Sequence, residues 1–109
     1  MNNTNVSGSI DAYIKEIGEY PLLSQEEEIA LAERIQKGDD EALKQLMNSN
    51  RRFVVSAALP YQRKGTSLED LIKAGNEGLE TAARKFQPIH DFKFIAYAVW
   101  HIKQSMGML

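Results

Sequence analysis

Between Asp91 and Gln104 the chain reads DFKFIAYAVWHIKQ, with five ring side chains (Phe92, Phe94, Tyr97, Trp100 and His101) inside ten residues and Lys93 and Lys103 among them. Rings beside cations and a side-chain amide suit the binding of single-stranded nucleic acid. Bases stack on flat π surfaces at roughly 1–3 kcal/mol each, cations meet phosphates, and an amide such as Gln104 can pair with a base edge. Wound into a helix at about 100° per residue, the stretch has two faces. Ile95, Val99, Ile102 and Met106 share one, with Ala98 at its margin, and form the expected core stripe. Lys93, Tyr97, Trp100, His101 and Gln104 gather on the opposite side. A helix that buries one apolar face gains nothing structurally from a second face of rings. The competing reading places Tyr97 and Trp100 between two packed helices with no ligand, a common use of aromatic side chains.

Other chemistries find little support. No nucleophile–base pairing, glycine-rich phosphate loop or metal-spaced cluster can be read from the chain, so neither enzymatic activity nor a cofactor is expected. Glu26, Glu27 and Glu28 are adjacent carboxylates, but on a helix start they point in different directions. His90 and His101 have no partner at zinc-ligand spacing. With no cysteine there is neither a disulfide framework nor a thiolate, and a cytoplasmic setting is the expectation. No apolar run approaches membrane-spanning length, and no signal-peptide pattern opens the chain.

At 109 residues, with 43% hydrophobic and 26% charged side chains, one domain with a modest core is expected. A net charge of −2 and a pI of 5.7 argue against a chain that grips duplex DNA alone, because phosphate neutralisation supplies most non-specific affinity. Residues 16–45 carry most of the acid, whereas Arg51, Arg52, Arg63, Lys64, Arg84, Lys85, Lys93 and Lys103 follow later. A nucleic-acid face is therefore local and needs help from a partner.

The elements that position these residues read as helices throughout. MNNTNVSGS, residues 1–9, reads as a polar, disordered tail, and the domain as 10–109. Ile10 to Gly18 is a short amphipathic helix that Gly18 would close in a left-handed cap. Ser24 with Glu27 is a capping box that opens a helix through Gln36, burying Ile29, Leu31, Ala32 and Ile35. Asp39 or Asp40 caps a helix from Glu41 to about Met47. Asn50 opens another, with Phe53, Val54, Ala57 and Ala58 as core candidates and Pro60 forcing a kink or stop near Ala58. Ser67 with Asp70 makes a second capping box. In the helix that follows, Leu68, Leu71, Ile72, Gly75, Leu79, Ala82, Ala83 and Phe86 face inward, while Asp70, Lys73, Ala74, Glu77, Thr81 and Arg84 face outward. Its glycines cost about 1 kcal/mol each relative to alanine, which suggests close helix packing. Pro88 separates it from the aromatic helix. With no strand alternation and no repeat, the fold class is all-α, a compact bundle of five to six helices.

From Asp11 onward, DAYIKEIG, LSQEEEIALAERIQKGDDEALKQLMNSNRRFVV, DLIKAGNEGL and FKFIAYAVWHIKQS resemble regions 1.2 and 2 of the bacterial housekeeping-type sigma-70 factors, in wording nearest the Bacteroidetes branch. The resemblance implies recognition of the promoter −10 element as single-stranded non-template DNA, with its second-position adenine flipped into a ring-lined pocket. Phe86, Gln87, His90, Phe92, Phe94, Ala96 and Tyr97 match that pocket. Rings can sandwich a purine, and flipping costs only a few kcal/mol. Trp100 and His101 occupy the place of paired tryptophans that wedge against the last intact base pair, His101 being a smaller, titratable departure. Gln104 matches the reader of the element's upstream edge, and Gly107 stands where the family often has a threonine. The last thymine falls near Asn50, Phe53, Glu28 and Ile95, and Tyr13 and Ile14 fall where region 1.2 meets the discriminator. Lys93 is a candidate phosphate contact, and Arg52, beside Arg51, reads either as surface or as a phosphate clamp.

The resemblance also implies docking of the Ser67–Phe86 helix on the β′ coiled coil of RNA polymerase core. Asp70 and Asn76 keep that pattern, whereas Lys73, Ala74, Glu77 and Glu80 depart from it. A carboxylate in an apolar interface must be desolvated. These changes, with Arg51 and Leu59–Pro60, fit an engineered or strongly diverged domain. The chain ends where the family continues into regions 3 and 4, so an excised domain or a short relative is expected, monomeric and with no membrane partner. A second reading is a protein-interaction module, a sigma look-alike or scaffold that binds polymerase or an anti-sigma partner without reading promoters. Loss of Tyr97 and Trp100 would matter under the first reading, and changes at Asp70 or Asn76 under the second.

Overall fold

Five α-helices follow one another, with no strand among the described residues, which are 2–88 and 92–108 of a computed structural model. They are α1 (Asn2–Gly18), α2 (Gln25–Gln36), α3 (Asp40–Ala58), α4 (Leu68–Lys85) and α5 (Phe94–Ser105). The all-α expectation holds, and a 3-10 helix, Leu59–Lys64, joins α3 to α4.

Local chemistry explains most boundaries. Ser24 Oγ accepts from the Glu27 amide at 3.1 Å while Glu27 Oε1 accepts from the Ser24 amide at 2.8 Å, so both halves of the α2 capping box are made. At α4, Ser67 Oγ accepts from the Asp70 amide at 3.1 Å. The aspartate is one methylene shorter than the glutamate that completes such a box. Asp39 Oδ1 accepts from the amides of Glu41 and Ala42 at 3.0 and 3.2 Å and starts α3. Pro60 ends α3 at Ala58, and the chain continues as the 3-10 helix with the proline in its first turn, where no backbone donor is needed.

Three expectations are corrected. α1 begins at Asn2 rather than Ile10, since no proline precedes Pro21 to stop it. Gly18 closes α1 without a positive φ, unlike Gly38 after α2. The helices expected on either side of residues 48–50 are one helix of 19 residues. Ser49 Oγ and Asn50 Nδ2 donate back to the Leu46 carbonyl at 3.1 and 2.8 Å, so neither residue caps a new start.

The core lies where α4 packs on α3 and, most extensively, on α5. Leu46, Val54, Leu79, Ala82, Phe94 and Ala98 are completely buried there. α5 runs antiparallel to α4 and comes close enough that only a hydrogen fits at Gly78. A Cβ at that position would strike the His101 carbonyl oxygen and lie 2.6 Å from Ser105 Oγ. This contact sets the rotation of α5. Its buried residues are Phe94, Ala98 and Ile102, about 70° round from the expected stripe, and Val99 is exposed. Gly107, at φ 78, ends the helix. Its amide donates to the Gln104 carbonyl and that of Met108 to the Lys103 carbonyl, the paired bonds of a left-handed C-terminal cap.

Candidate nucleic-acid interface

Phe86 follows the last turn of α4 in an extended conformation (φ −62, ψ 124), and its ring is buried. Gln36 of α2 donates to its carbonyl at 3.0 Å and fixes the bend. A file of rings continues from it. Phe94 meets Phe86 edge-on at 5.1 Å, and Tyr97 lies 5.7 Å from Phe86 at 38°. His101 follows 5.1 Å from Tyr97, and Trp100 stands edge-on to His101 at 5.1 Å. The rotation of α5 produces this order, tilting Tyr97 and His101 toward Phe86 and leaving Trp100 outside.

Lys85, Phe86, Gln87, Phe92, Ala96, Tyr97, Trp100 and His101 line a cavity of about 560 Å³. That volume lies within the range of about 300–1,000 Å³ typical of small-ligand pockets. Phe92 and Trp100 are 50% and 53% exposed, so these two rings are available to a ligand. Tyr97 Oη lies 3.2 Å from His101 Nε2. Burial, and secondarily the charge of Lys85, holds the His101 imidazole below its usual pKa and favours the neutral ring. The cavity is thus an apolar slot with a neutral polar pair on one wall and Lys85 at its rim.

Phe94 is corrected from a nucleic-acid contact to a core residue. It is completely buried beneath Phe86 and does not line the cavity. Gln104 is exposed on the outer face of α5. His90 lies outside the described residues. Arg52 Nη2 donates to the Tyr20 carbonyl in the α1–α2 connection, and its buried Nε has no partner among the described residues. Its guanidinium binds backbone brought from 32 residues away.

A smaller depression of about 90 Å³ brings together the expected Glu28, Asn50, Phe53 and Ile95 with Leu22, Leu23, Ser49 and Lys93. The polar groups of this set are already engaged. Asn50 Nδ2 donates to the Leu46 carbonyl and, at 3.1 Å, to Ser49 Oγ. Glu28, 3% exposed, accepts from the Phe94 amide at 2.9 Å and pairs with Lys93 Nζ at 3.5 Å. Lys93 Nζ also donates to the Leu23 carbonyl. The sequence reading missed Lys85, Leu22, Leu23 and Ser49. Adjacency to Phe86 was a usable signal for Lys85, but no motif marks the others.

On α4, Asp70 and Lys73 are exposed. Asn76 is partly buried, donating to Tyr13 Oη at 3.2 Å, and its buried Oδ1 has no partner. Glu77 is exposed, and Glu80 pairs with Arg84 at 3.0 Å. Asp70 and the cavity lie at opposite ends of α4, about 24 Å apart along its axis. Among the described residues, no three His, Cys, Asp or Glu side chains gather as metal ligands, and no helix is long and apolar enough to cross a membrane.

Residues 8–41 match the family described as Sigma-70 factor, region 1.2, and residues 46–107 match Sigma-70 region 2. The chain is similar to the RNA polymerase sigma factor RpoS of Coxiella burnetii, at 43% identity over 103 residues, 94% of this chain and 29% of that protein. It is similar also to the RNA polymerase sigma factor SigA of Clostridium acetobutylicum, at 48% over 101 residues, 93% of this chain and 27% of that protein. The chain therefore spans under a third of the length of these relatives.

Proposed function

The chain belongs to the sigma-70 factor family, and from that premise we propose that it reads the non-template strand of the promoter −10 element in transcription initiation, together with RNA polymerase core. The observation that carries this reading is the ring-lined cavity at the junction of α4 and α5. A purine turned out of the DNA stack enters between Phe92 and Tyr97, with Phe86 as the floor. Stacking on these rings offsets the few kcal/mol lost on unstacking. Trp100, the most exposed ring of the file, stands against the last intact base pair with His101 at its edge. Lys85 and Lys103 meet phosphates, and Gln104 pairs with a base edge upstream. The smaller depression takes the last thymine, whose methyl group packs on Phe53 and Ile95.

Polymerase core enters because the chain carries a net charge of −2 and has few cations near the cavity, too few to hold DNA strongly. Asp70 and Lys73 on α4 face the β′ coiled coil, in the bacterial cytoplasm. The test uses core polymerase and a fork-junction DNA with a single-stranded TATAAT segment in a gel-shift experiment. A complex that requires the chain, and is lost with the Tyr97→Ala, Trp100→Ala double variant, is the expected result. A complex unaffected by that variant, or none at all, would refute the proposal.

A further inference from the structure

We infer that Glu28, which does not line the ring cavity, is the positioning residue that holds the cavity's α5 wall in place. This inference rests on the reading of the cavity as a base-binding site. α5 has no side-chain cap of its own, since its N-cap residue, Lys93, makes no such bond. The missing acceptor comes from α2, 66 residues earlier, where Glu28 Oε1 takes the Phe94 amide at 2.9 Å. A buried carboxylate there both satisfies a backbone donor at the start of the helix and opposes the positive end of its dipole. Its other oxygen faces Lys93 Nζ at 3.5 Å.

The neighbouring bonds point the same way. Gln25 Nε2 donates to the Phe92 carbonyl at 3.1 Å, and Lys93 Nζ donates to the Leu23 carbonyl. Phe92, Lys93 and Phe94 are thus each tied to the Leu23–Glu28 segment. Phe92 is the exposed ring of the cavity and Phe94 the buried ring beneath Phe86. Removing the carboxylate leaves the Phe94 amide buried without an acceptor. The start of α5 then loses its register, and the Phe92 ring loses its place in the cavity lining.

Glu28 also borders the smaller depression, so a direct contact with the last thymine must be separated from positioning. The test measures fluorescence anisotropy of the full chain and its Glu28→Ala and Glu28→Gln variants on non-template TATAAT oligonucleotides. One oligonucleotide set keeps the last thymine and the other has an abasic site there. Within each set the second-position adenine is present or replaced. Thermal melting confirms that the variants are folded, and amide hydrogen exchange follows residues 94–98. In Glu28→Ala, preference for the adenine should fall by about tenfold in both sets, and exchange at residues 94–98 should quicken. Glu28→Gln keeps an acceptor oxygen for the Phe94 amide and should retain most of the preference. A loss confined to the set with the last thymine, or an unchanged preference in Glu28→Ala, overturns this inference alone. If the unaltered chain shows no preference, the base-binding reading fails and this inference fails with it.

Discussion

Trp100 and Tyr97 belong to one file of rings but differ in burial, and their variants separate binding from stability. Trp100 is more than half exposed, so Trp100→Ala should change folding stability by no more than about 0.5 kcal/mol. Binding of the TATAAT strand should nevertheless weaken by about tenfold or more, the loss of one stacked ring. Melting and anisotropy on the same sample check both. His101 has a pH signature. Its folded-state pKa is depressed, so the unfolded chain binds the proton more readily, and stability falls as pH drops through the ordinary imidazole range. The melting temperature of the unaltered chain should therefore fall more steeply between about pH 7.5 and 5.5 than that of His101→Gln. Parallel curves would contradict the assignment of burial as the cause. Ring identities and spacing were legible because they are local, but which ring is buried was not. Phe92 and Phe94 look alike in the sequence, and the packing of the α5 start beneath Phe86 buries only the second. Likewise the sequence left Arg52 open between surface and phosphate clamp, because the carbonyl it binds, that of Tyr20, is distant in sequence.

Among the elements, α4 packs against α5 and is tied to α1 through Asn76, and the two contacts can be tested separately. Gly78→Val would push α5 away from α4, at a cost of about 1–3 kcal/mol for overpacking, read as a lower melting temperature. DNA binding should fall with it, since α5 supplies one wall of the cavity. Tyr13→Phe removes the acceptor for Asn76 Nδ2 beside the unpaired Oδ1, at about 0.5–1.5 kcal/mol in urea unfolding. Its adenine preference should be unchanged. Element boundaries were legible where a local signal sets them, as Ser24 and Glu27 do for α2, Asp39 for α3 and Pro60 for its end. They were misread at residues 48–50, where Ser49 and Asn50 turn their side chains onto Leu46 within a continuing helix. The α5 cap was invisible for a related reason, since Glu28 sits in an ordinary helix start and acts on backbone far away in sequence.

At the scale of the whole molecule, the charge and the placement of the sites belong together. An acidic chain with Lys85 as the cation lining its ring cavity would, on the proposed reading, hold a strand mainly by stacking. Salt dependence should be shallow, with a log–log slope of about −1.4 for roughly two phosphates met by Lys85 and Lys103. Asp70 and Lys73 lie a helix length away from the cavity, so the proposed polymerase face and the proposed DNA face do not overlap. Family membership was legible in long ordered stretches such as DLIKAGNEGL and FKFIAYAVWHIKQS, whereas the depth and lining of the cavity needed the packing of α5. The most direct test is anisotropy of the isolated chain on a TATAAT strand against the same strand with its second-position adenine replaced. Because the rings are already assembled without a partner, the account predicts tighter binding to the adenine strand by about tenfold. Equal affinity for the two strands would contradict it.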